Sequence, residues 1–255
     1  MTTPYRFDPH QQISEIVLVG LGGSGSQWAR SIARIVYHLR RHRQHTPSIR
    51  FVDPDVVEAK NVGRQMYVEA QIGQYKAEAL AKCFNYAMGL GITWHNEPFD
   101  VGRHASRFGT LLCGAVDNHL ARRELAKAQA IWIDAGNHFA AGQVIIGNTA
   151  DRQAVQHGFG ERACSYLPNA ALLFPSLLEP EPEAPPQAVS CADLVDRGDQ
   201  HLLVNDTMGI IAGDYTYKLL TGQPITSFIT YVDASSSFSA RSVPITRDEL
   251  LAYLG

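Results

Sequence analysis

The apolar run Ile16-Val17-Leu18-Val19 is too short for a helix and meets glycines at once, so it reads as a buried strand. Past the turn Gly20-Leu21-Gly22-Gly23-Ser24-Gly25 a helical stretch opens with Ser26-Gln27-Trp28-Ala29-Arg30. Ile49-Arg50-Phe51-Val52 predicts a second short strand that ends in Asp53-Pro54-Asp55. A polar loop through Lys60-Asn61-Val62-Gly63-Arg64-Gln65 leads to apolar positions at helical spacing over Lys76–Met88. Thr110–Val116 is apolar with no room for a helix before Asp117, and predicts a buried strand. His119–Ala130 reads as a helix, Ile131–Ile133 as a strand and Gln143–Ile146 as another. Strand and helix alternate, which predicts a Rossmann-like, doubly wound, mostly parallel α/β sheet with its ligand crevice at the carboxyl ends of the strands.

The later part of the chain is patterned differently. Glu179-Pro180-Glu181-Pro182-Glu183-Ala184-Pro185-Pro186 excludes regular structure, so Leu178–Ser190 is expected to be a long crossover loop, unordered without a partner. A helix follows from about Thr207 to Leu220, stopped by Thr221-Gly222-Gln223-Pro224. Strand-like runs at Ser227–Val232 and Phe238–Val243 form an expected antiparallel extension, before a short helix starting near Thr246.

At 255 residues these elements fit a single domain: 14–150 as the nucleotide-binding half, 151–206 as the crossover region and 207–255 as the C-terminal helix and edge strands. A 45% hydrophobic and 18% charged composition is that of a soluble globular protein. The net charge of -3 weighs against general nucleic-acid binding. No run approaches a membrane span, and Met1–His10 lacks the features of a signal peptide, so a cytoplasmic protein is expected. Cys83, Cys113, Cys164 and Cys191 include no C-x-x-C pair, which speaks against a structural zinc site.

The glycine turn is the first candidate for chemistry. Without Cβ atoms, its backbone N–H groups can approach phosphate oxygens, and the next helix N-terminus adds partial positive charge. Gly20, Gly22 and Gly25 satisfy the dinucleotide pattern, yet the doubled Gly22-Gly23 suits a mononucleotide equally. Asp53 ends the second strand, where a ribose hydroxyl would lie. Asn61 and Arg64, three apart, with Gln65 and Lys76, add two cations and two amides that a hydride-transfer site does not require. A triphosphate losing pyrophosphate does require fixed positive charge. Asp117, ending a buried strand, could hold Mg²⁺ together with substrate phosphates, or cap the His119 helix, or both. The bland reading of the loop is a solvated surface with a capping Asn. Arg34–His45, rich in Arg and His, reads as a solvated helix end, with docking of an acidic partner as the sharper alternative.

Taken together, Gly20-x-Gly22-Gly23-x-Gly25, Asp53-Pro-Asp55-Val-Val-Glu58-x-x-Asn61-x-x-Arg64-Gln65, Ile72-Gly73-x-x-Lys76-Ala-Glu78 and Val116-Asp117-Asn118-x-x-x-Arg122 resemble the ThiF and MoeB type of ubiquitin-like-modifier activating enzymes. Ile133-Asp134-Ala135-Gly136 with Gly142-Gln143-Val144 looks like that family's next strand pair, and within the family the chain is most similar to the ThiF-related member of the PRTRC plasmid cassette. The resemblance implies adenylation, by ATP and Mg²⁺, of the C-terminal carboxylate of a small β-grasp protein with a flexible tail. It gives Asp53 the ribose, Asn61, Arg64, Gln65 and Lys76 the phosphates, and Asp117 the metal, with Asp55 and Arg122 supporting them. Cys191 follows the proline-rich loop where relatives carry an acyl-accepting thiol; an unreactive loop thiol is the alternative, and Cys164 a weaker candidate. A homodimer is implied by the same resemblance. A nucleotide-dependent oxidoreductase, a partner-binding module without chemistry and an ATP-dependent tRNA-modifying relative remain the competing readings.

Overall fold

The computed structural model describes residues 3–105, 107–180, 202–235 and 237–255. In chain order it has strands β1 (Arg6–Phe7) and β2 (Glu15–Val19), helix α1 (Gly23–Arg41), β3 (Ser48–Val52) and α2 (Lys76–Met88). There follow β4 (Thr93–His95), α3 (Val101–His104), β5 (Thr110–Gly114), α4 (His119–Leu125) and the hairpin β6 (Ile131–His138) and β7 (Ala141–Gly147). Then come α5 (Arg152–His157), β8 (Ala163–Cys164), α6 (Ala170–Leu173), α7 (Val204–Thr221), β9 (Ser227–Asp233), β10 (Ser239–Pro244) and α8 (Arg247–Leu254).

One eight-stranded sheet, in the order β10-β9-β7-β6-β5-β2-β3-β4, organises the molecule; β1 and β8 pair separately. β4, β3, β2, β5 and β6 are parallel, while β6-β7, β7-β9 and β9-β10 are antiparallel. The parallel core and antiparallel C-terminal extension are the arrangement the sequence pattern predicts. All residues of β2 and of β5 are buried, because helices cover both faces of a parallel sheet and leave no strand face for water.

β2 pairs with β3 on one side and β5 on the other, in step from Glu15 to Val19. The chain therefore winds outward from β2 in one direction, then crosses over and winds the other way. The carboxyl ends of β2 and β5 form the switch point, where the sheet leaves a crevice open.

α1 lies along α7. Trp28 is fully buried there and donates its indole N–H to Thr216 at 3.1 Å. Gly209 and Gly213 allow the approach, since a Cβ on either would sit 2.6 Å from Gln27 or 2.8 Å from Ser31. The predicted helix at His119 stops at Leu125, five residues early, because residues 126–130 turn the chain back into β6. β6 in turn runs beyond Ile133 to His138, paired along its length with β7. No helix among the described residues is long and apolar enough to cross a membrane.

Candidate functional site

The glycine turn sits at the switch point, and its glycines divide by what surrounds them. Gly20 has φ +83°, and a Cβ there would lie 2.5 Å from the Ala115 carbonyl oxygen. A Cβ on Gly25 would lie 1.9 Å from the Gly20 oxygen, and one on Gly23 2.6 Å from the Asn205 side chain. These three are glycine so that the turn, the strand ends and the first turn of α7 can close on each other. Gly22 is different: no atom lies within 4 Å of where its Cβ would be. No described residue fills that space, and a glycine turn before a helix N-terminus has the backbone chemistry to receive a phosphate.

One wall of the crevice is the segment between β3 and α2. Asp53 is buried; one carboxylate oxygen accepts the Leu21 N–H and the other the Asp55 N–H, at 2.8 Å. Asp53 thus ties the glycine turn to the end of β3. Burial pushes it from 3.8 to about 6, against the pull of the Lys76 ammonium and the two backbone donors. Lys76 is 7% exposed, and its Nζ reaches Asp55 Oδ2 at 2.9 Å. Asn61 ends a short 3₁₀ turn, Ala59–Asn61, where its Oδ1 accepts the Glu58 N–H at 2.8 Å. The capping role in the bland reading is therefore real, yet the residue is buried rather than solvated. The segment is pinned onto the glycine turn: Met66 N–H donates to Ser26 Oγ at 3.2 Å, and Tyr67 OH to the Leu21 carbonyl at 2.8 Å. Arg64 is half-buried, and buried Gln65 has an Oε1 without a hydrogen-bond partner among the described residues.

The opposite wall follows β5 and β6. Asp117 is exposed and makes no hydrogen bond or ion pair with the described residues. It does not cap α4, contrary to one of its two expected roles. Asn118 does that, its side chain accepting the Ala121 N–H at 2.8 Å, which leaves Asp117 one residue outside the helix and its carboxylate uncommitted. That chemistry suits Mg²⁺, a hard cation that prefers carboxylate oxygens. Arg122 reaches from α4 across β6. Its Nη2 is 3.1 Å from where a Gly136 Cβ would be, and its Nε is 3.8 Å from Asp134 Oδ1.

Asp134 and two asparagines extend the site beyond the residues singled out in the sequence. Asp134 is 1% exposed, and neither oxygen has a hydrogen-bond partner among the described residues. Its signal was legible as an acid closing the apolar run Ile131-Trp132-Ile133. Asn137 Oδ1 and Asn205 Oδ1 share the single proton of the Ser24 hydroxyl, at 2.9 and 3.1 Å, and so join the glycine turn to β6 and α7. Nothing in the sequence marked Asn205, which precedes the expected helix start at Thr207.

The thiols separate by burial. Cys191 lies outside the described residues, with most of the proline-rich loop. Cys164 is buried and pushed up to about 12, chiefly by desolvation, which withholds the thiolate. Cys113 is buried on β5, whereas Cys83 is exposed on α2. His95, Glu97 and His104 bring three potential metal-ligand atoms within 4.8 Å of one another. His104 Nδ1 accepts the Asp100 N–H at 3.0 Å, however, so its Nε2 holds the proton and donates to Glu97 at 3.0 Å. The cluster is a hydrogen-bonded set with no lone pair free on His104.

No curated protein matches the chain in sequence. In three dimensions it is similar to E. coli MccB solved with ATP, with a TM-score of 0.54, 13% identity, and coverage of 92% of this chain and 64% of that one. E. coli MccB solved with AMPCPP and MccA gives 0.57, 13%, 92% and 64%. PaaA gives 0.54, 17%, 91% and 64%. The chain thus spans just under two thirds of the length of these structures, and at such identities the likeness is one of fold. The sequence itself matches the ThiF family over residues 10–248, and with the glycine turn, the Asp53–Lys76 wall and Asp117 in place, the chain belongs to that family.

Proposed function

We propose that the protein is an ATP-dependent adenylyltransferase acting on the C-terminal carboxylate of a small protein or peptide, of the ubiquitin-like β-grasp class. The observation that carries this reading is the open glycine turn at the switch point, with room at Gly22 for a phosphate, in a sheet whose neighbouring strands are followed by a buried cation, Lys76, and an uncommitted carboxylate, Asp117. E. coli MccB, which shares the fold, has been solved with ATP and with the small substrate MccA, and this supports the choice of nucleotide and partner size.

In the proposed reaction an oxygen of the substrate carboxylate attacks the α-phosphorus of ATP. The bond from that phosphorus to the bridging oxygen breaks, and pyrophosphate leaves with its electron pair. No proton need be removed, so the protein aligns the two substrates and stabilises charge. Leu21–Gly25 cradle phosphate oxygens, and Asp53 accepts from the ribose. Arg64 and Lys76, with Asn61 and Gln65, face the triphosphate; Arg supplies a two-pronged donor and Lys a point charge. Asp55 holds the Lys76 ammonium in place. Asp117 would hold Mg²⁺, which neutralises charge on the leaving group. A homodimer and transfer of the acyl group to Cys191 belong to the same reading.

The test is ATP–pyrophosphate exchange with purified protein and candidate small proteins ending in a flexible tail. Exchange that needs both the small protein and its terminal carboxylate is the expected result. Exchange lost in the Cys191→Ala variant would remove the order of steps proposed here, since adenylation precedes thiol transfer. No exchange with any tailed partner, together with no ATP binding, would sink the assignment.

A further inference from the structure

Between Glu15 and Asp53 the chain contains no acidic residue, six arginines, three histidines and no lysine. The whole-chain charge of -3 conceals this, because the acid surplus lies elsewhere. α1 runs back from the glycine turn, so the fold gathers these cations, Arg30 apart, toward the amino ends of the parallel strands, at the opposite end of the sheet from the glycine turn. Arg34, His38 and Arg41, four and three residues apart, form one exposed stripe on α1, turned away from buried Trp28, Ile32 and Leu39. Arg43 continues it past the helix end, in a left-handed conformation with φ 53°. Cations in a last turn complement the helix dipole, which accounts for Arg40 and Arg41 but not for Arg34 or Arg43.

The segments that touch this end of the molecule on either side each carry an exposed aromatic residue. Arg40 donates to the Met88 and Gly89 carbonyls, closing the end of α2, which carries Tyr86 at 96% exposure. On the other side, His45 Nε2 lies 2.9 Å from the Ile13 carbonyl, and the neighbouring Ser14 Oγ donates to the Phe108 carbonyl at 3.4 Å. Phe108 is 87% exposed beside exposed Arg107. Among the described residues Arg34, Arg41, Arg43 and Arg107 form no ion pair, whereas Arg50, at the same end of the sheet, is paired with Glu15 at 3.0 Å.

We propose that this face, Arg34 to Arg43 flanked by Phe108 and Tyr86, binds single-stranded nucleic acid. A surface kept basic only for solubility has no need of arginine over lysine, while a chain of phosphates is matched by guanidinium forks. Large exposed rings beside those forks offer the stacking platforms that unpaired bases use and that an acidic peptide does not. The partner is independent of the adenylation site, which lies at the other end of the strands.

The experiment is fluorescence anisotropy of the full chain with labelled oligothymidine and oligouridine of about 15 nucleotides, and with a labelled poly-glutamate peptide. Oligonucleotide affinity falls steeply as salt rises from ~50 to ~200 mM. In the Arg41→Gln, Arg43→Gln double variant affinity drops roughly tenfold or more and the log–log salt slope shrinks by about 1.4. Phe108→Ala weakens binding roughly fivefold or more at unchanged slope, with an unchanged melting temperature. Absence of oligonucleotide binding at low salt would overturn the proposal, as would variants that bind like the wild type. Poly-glutamate binding as tight as the oligonucleotides', indifferent to Phe108→Ala, would overturn it in favour of an acidic protein partner.

Discussion

Asp134 and Arg122 face each other across 3.8 Å, Oδ1 to Nε, without a hydrogen bond between them. The indole N–H of Trp132, on the same strand, is also buried and unpartnered. Folded proteins satisfy almost all buried polar groups, so an open pair at the edge of a crevice is a destabilising feature kept in place. Burial pushes Asp134 from 3.8 to about 6, Arg122 pulling it down. A carboxyl group that holds its proton more tightly when folded favours the folded state in acid. That contribution is full below about 4 and is lost as the pH rises through 6. Near neutral pH the ionised group therefore costs on the order of 1–3 kcal/mol. Asp134→Asn is expected to raise stability by that order, with the gain shrinking as pH falls toward 4, while pyrophosphate exchange declines because Arg122 is less firmly placed. Urea denaturation at neutral and acid pH, beside the exchange assay, checks this. A variant less stable than wild type at neutral pH would contradict it.

Asp53 titrates in the same window but should announce itself in binding. Burial raises it to about 6, and both its oxygens already accept backbone donors from Leu21 and Asp55. Each oxygen keeps a second lone pair for a ribose hydroxyl only while the group is ionised. ATP affinity is expected to weaken as pH falls through about 6, by roughly tenfold per unit beyond it. Calorimetric titration of Asp53→Asn should give weak affinity with a flat pH profile, and Asp134→Asn should keep the wild-type profile. A pH-independent wild type would separate Asp53 from nucleotide binding.

The glycines predict a contrast between neighbours in one turn. In Gly25→Ala the new Cβ meets the Gly20 oxygen at 1.9 Å, and backbone cannot swing aside as a side chain can. A stability loss of about 3 kcal/mol or more is expected. Gly22 has open space around its Cβ, but φ -73° with ψ -141° lies outside the regions an L-residue favours, so Gly22→Ala should fold with a loss of only about 1 kcal/mol. It should nevertheless bind ATP at least roughly tenfold more weakly, because the methyl group occupies the place proposed for a phosphate. Thermal unfolding and ATP titration of both variants separate the two effects; equal ATP affinity in Gly22→Ala would mean that the space serves no ligand.

How much of this was legible in the sequence depends on how local each signal is. α2 runs over Lys76–Met88 as predicted because its apolar period and its Gly89 stop are both written in neighbouring residues. The glycine turn and the Asp53 loop were equally legible, since turns depend on residue types at fixed offsets. The hydrogen bonds from Ser24 to Asn137 and Asn205 span 113 and 181 residues, and no periodicity reports a contact of that range. Asp117 and Asn118 show the limit at close quarters: both residue types cap helices well, and only the backbone decides that Asn118 takes the role. Charge was misleading in sum and informative in place, since -3 overall hides an acid-free stretch from Ile16 to Val52.

Lys76 and Asp55 carry the sharpest division between folding and function. The ammonium is nearly buried while Asp55 is 64% exposed at its side chain, so water screens one partner and not the other. Asp55→Ala leaves the buried ammonium with only the Asp53 carboxylate as counter-charge and should cost about 1 kcal/mol, a figure held down by the solvent around Asp55. Lys76→Met removes the charge, keeps the apolar stem and should cost less than that. Exchange activity is expected to order the variants the other way. Asp55→Ala loses alignment and keeps part of its rate, whereas Lys76→Met loses the cation proposed to face the leaving group and falls roughly 100-fold or more. Stability and exchange measured side by side would reject the assignment of Lys76 if its variant retained the activity that Asp55→Ala retains.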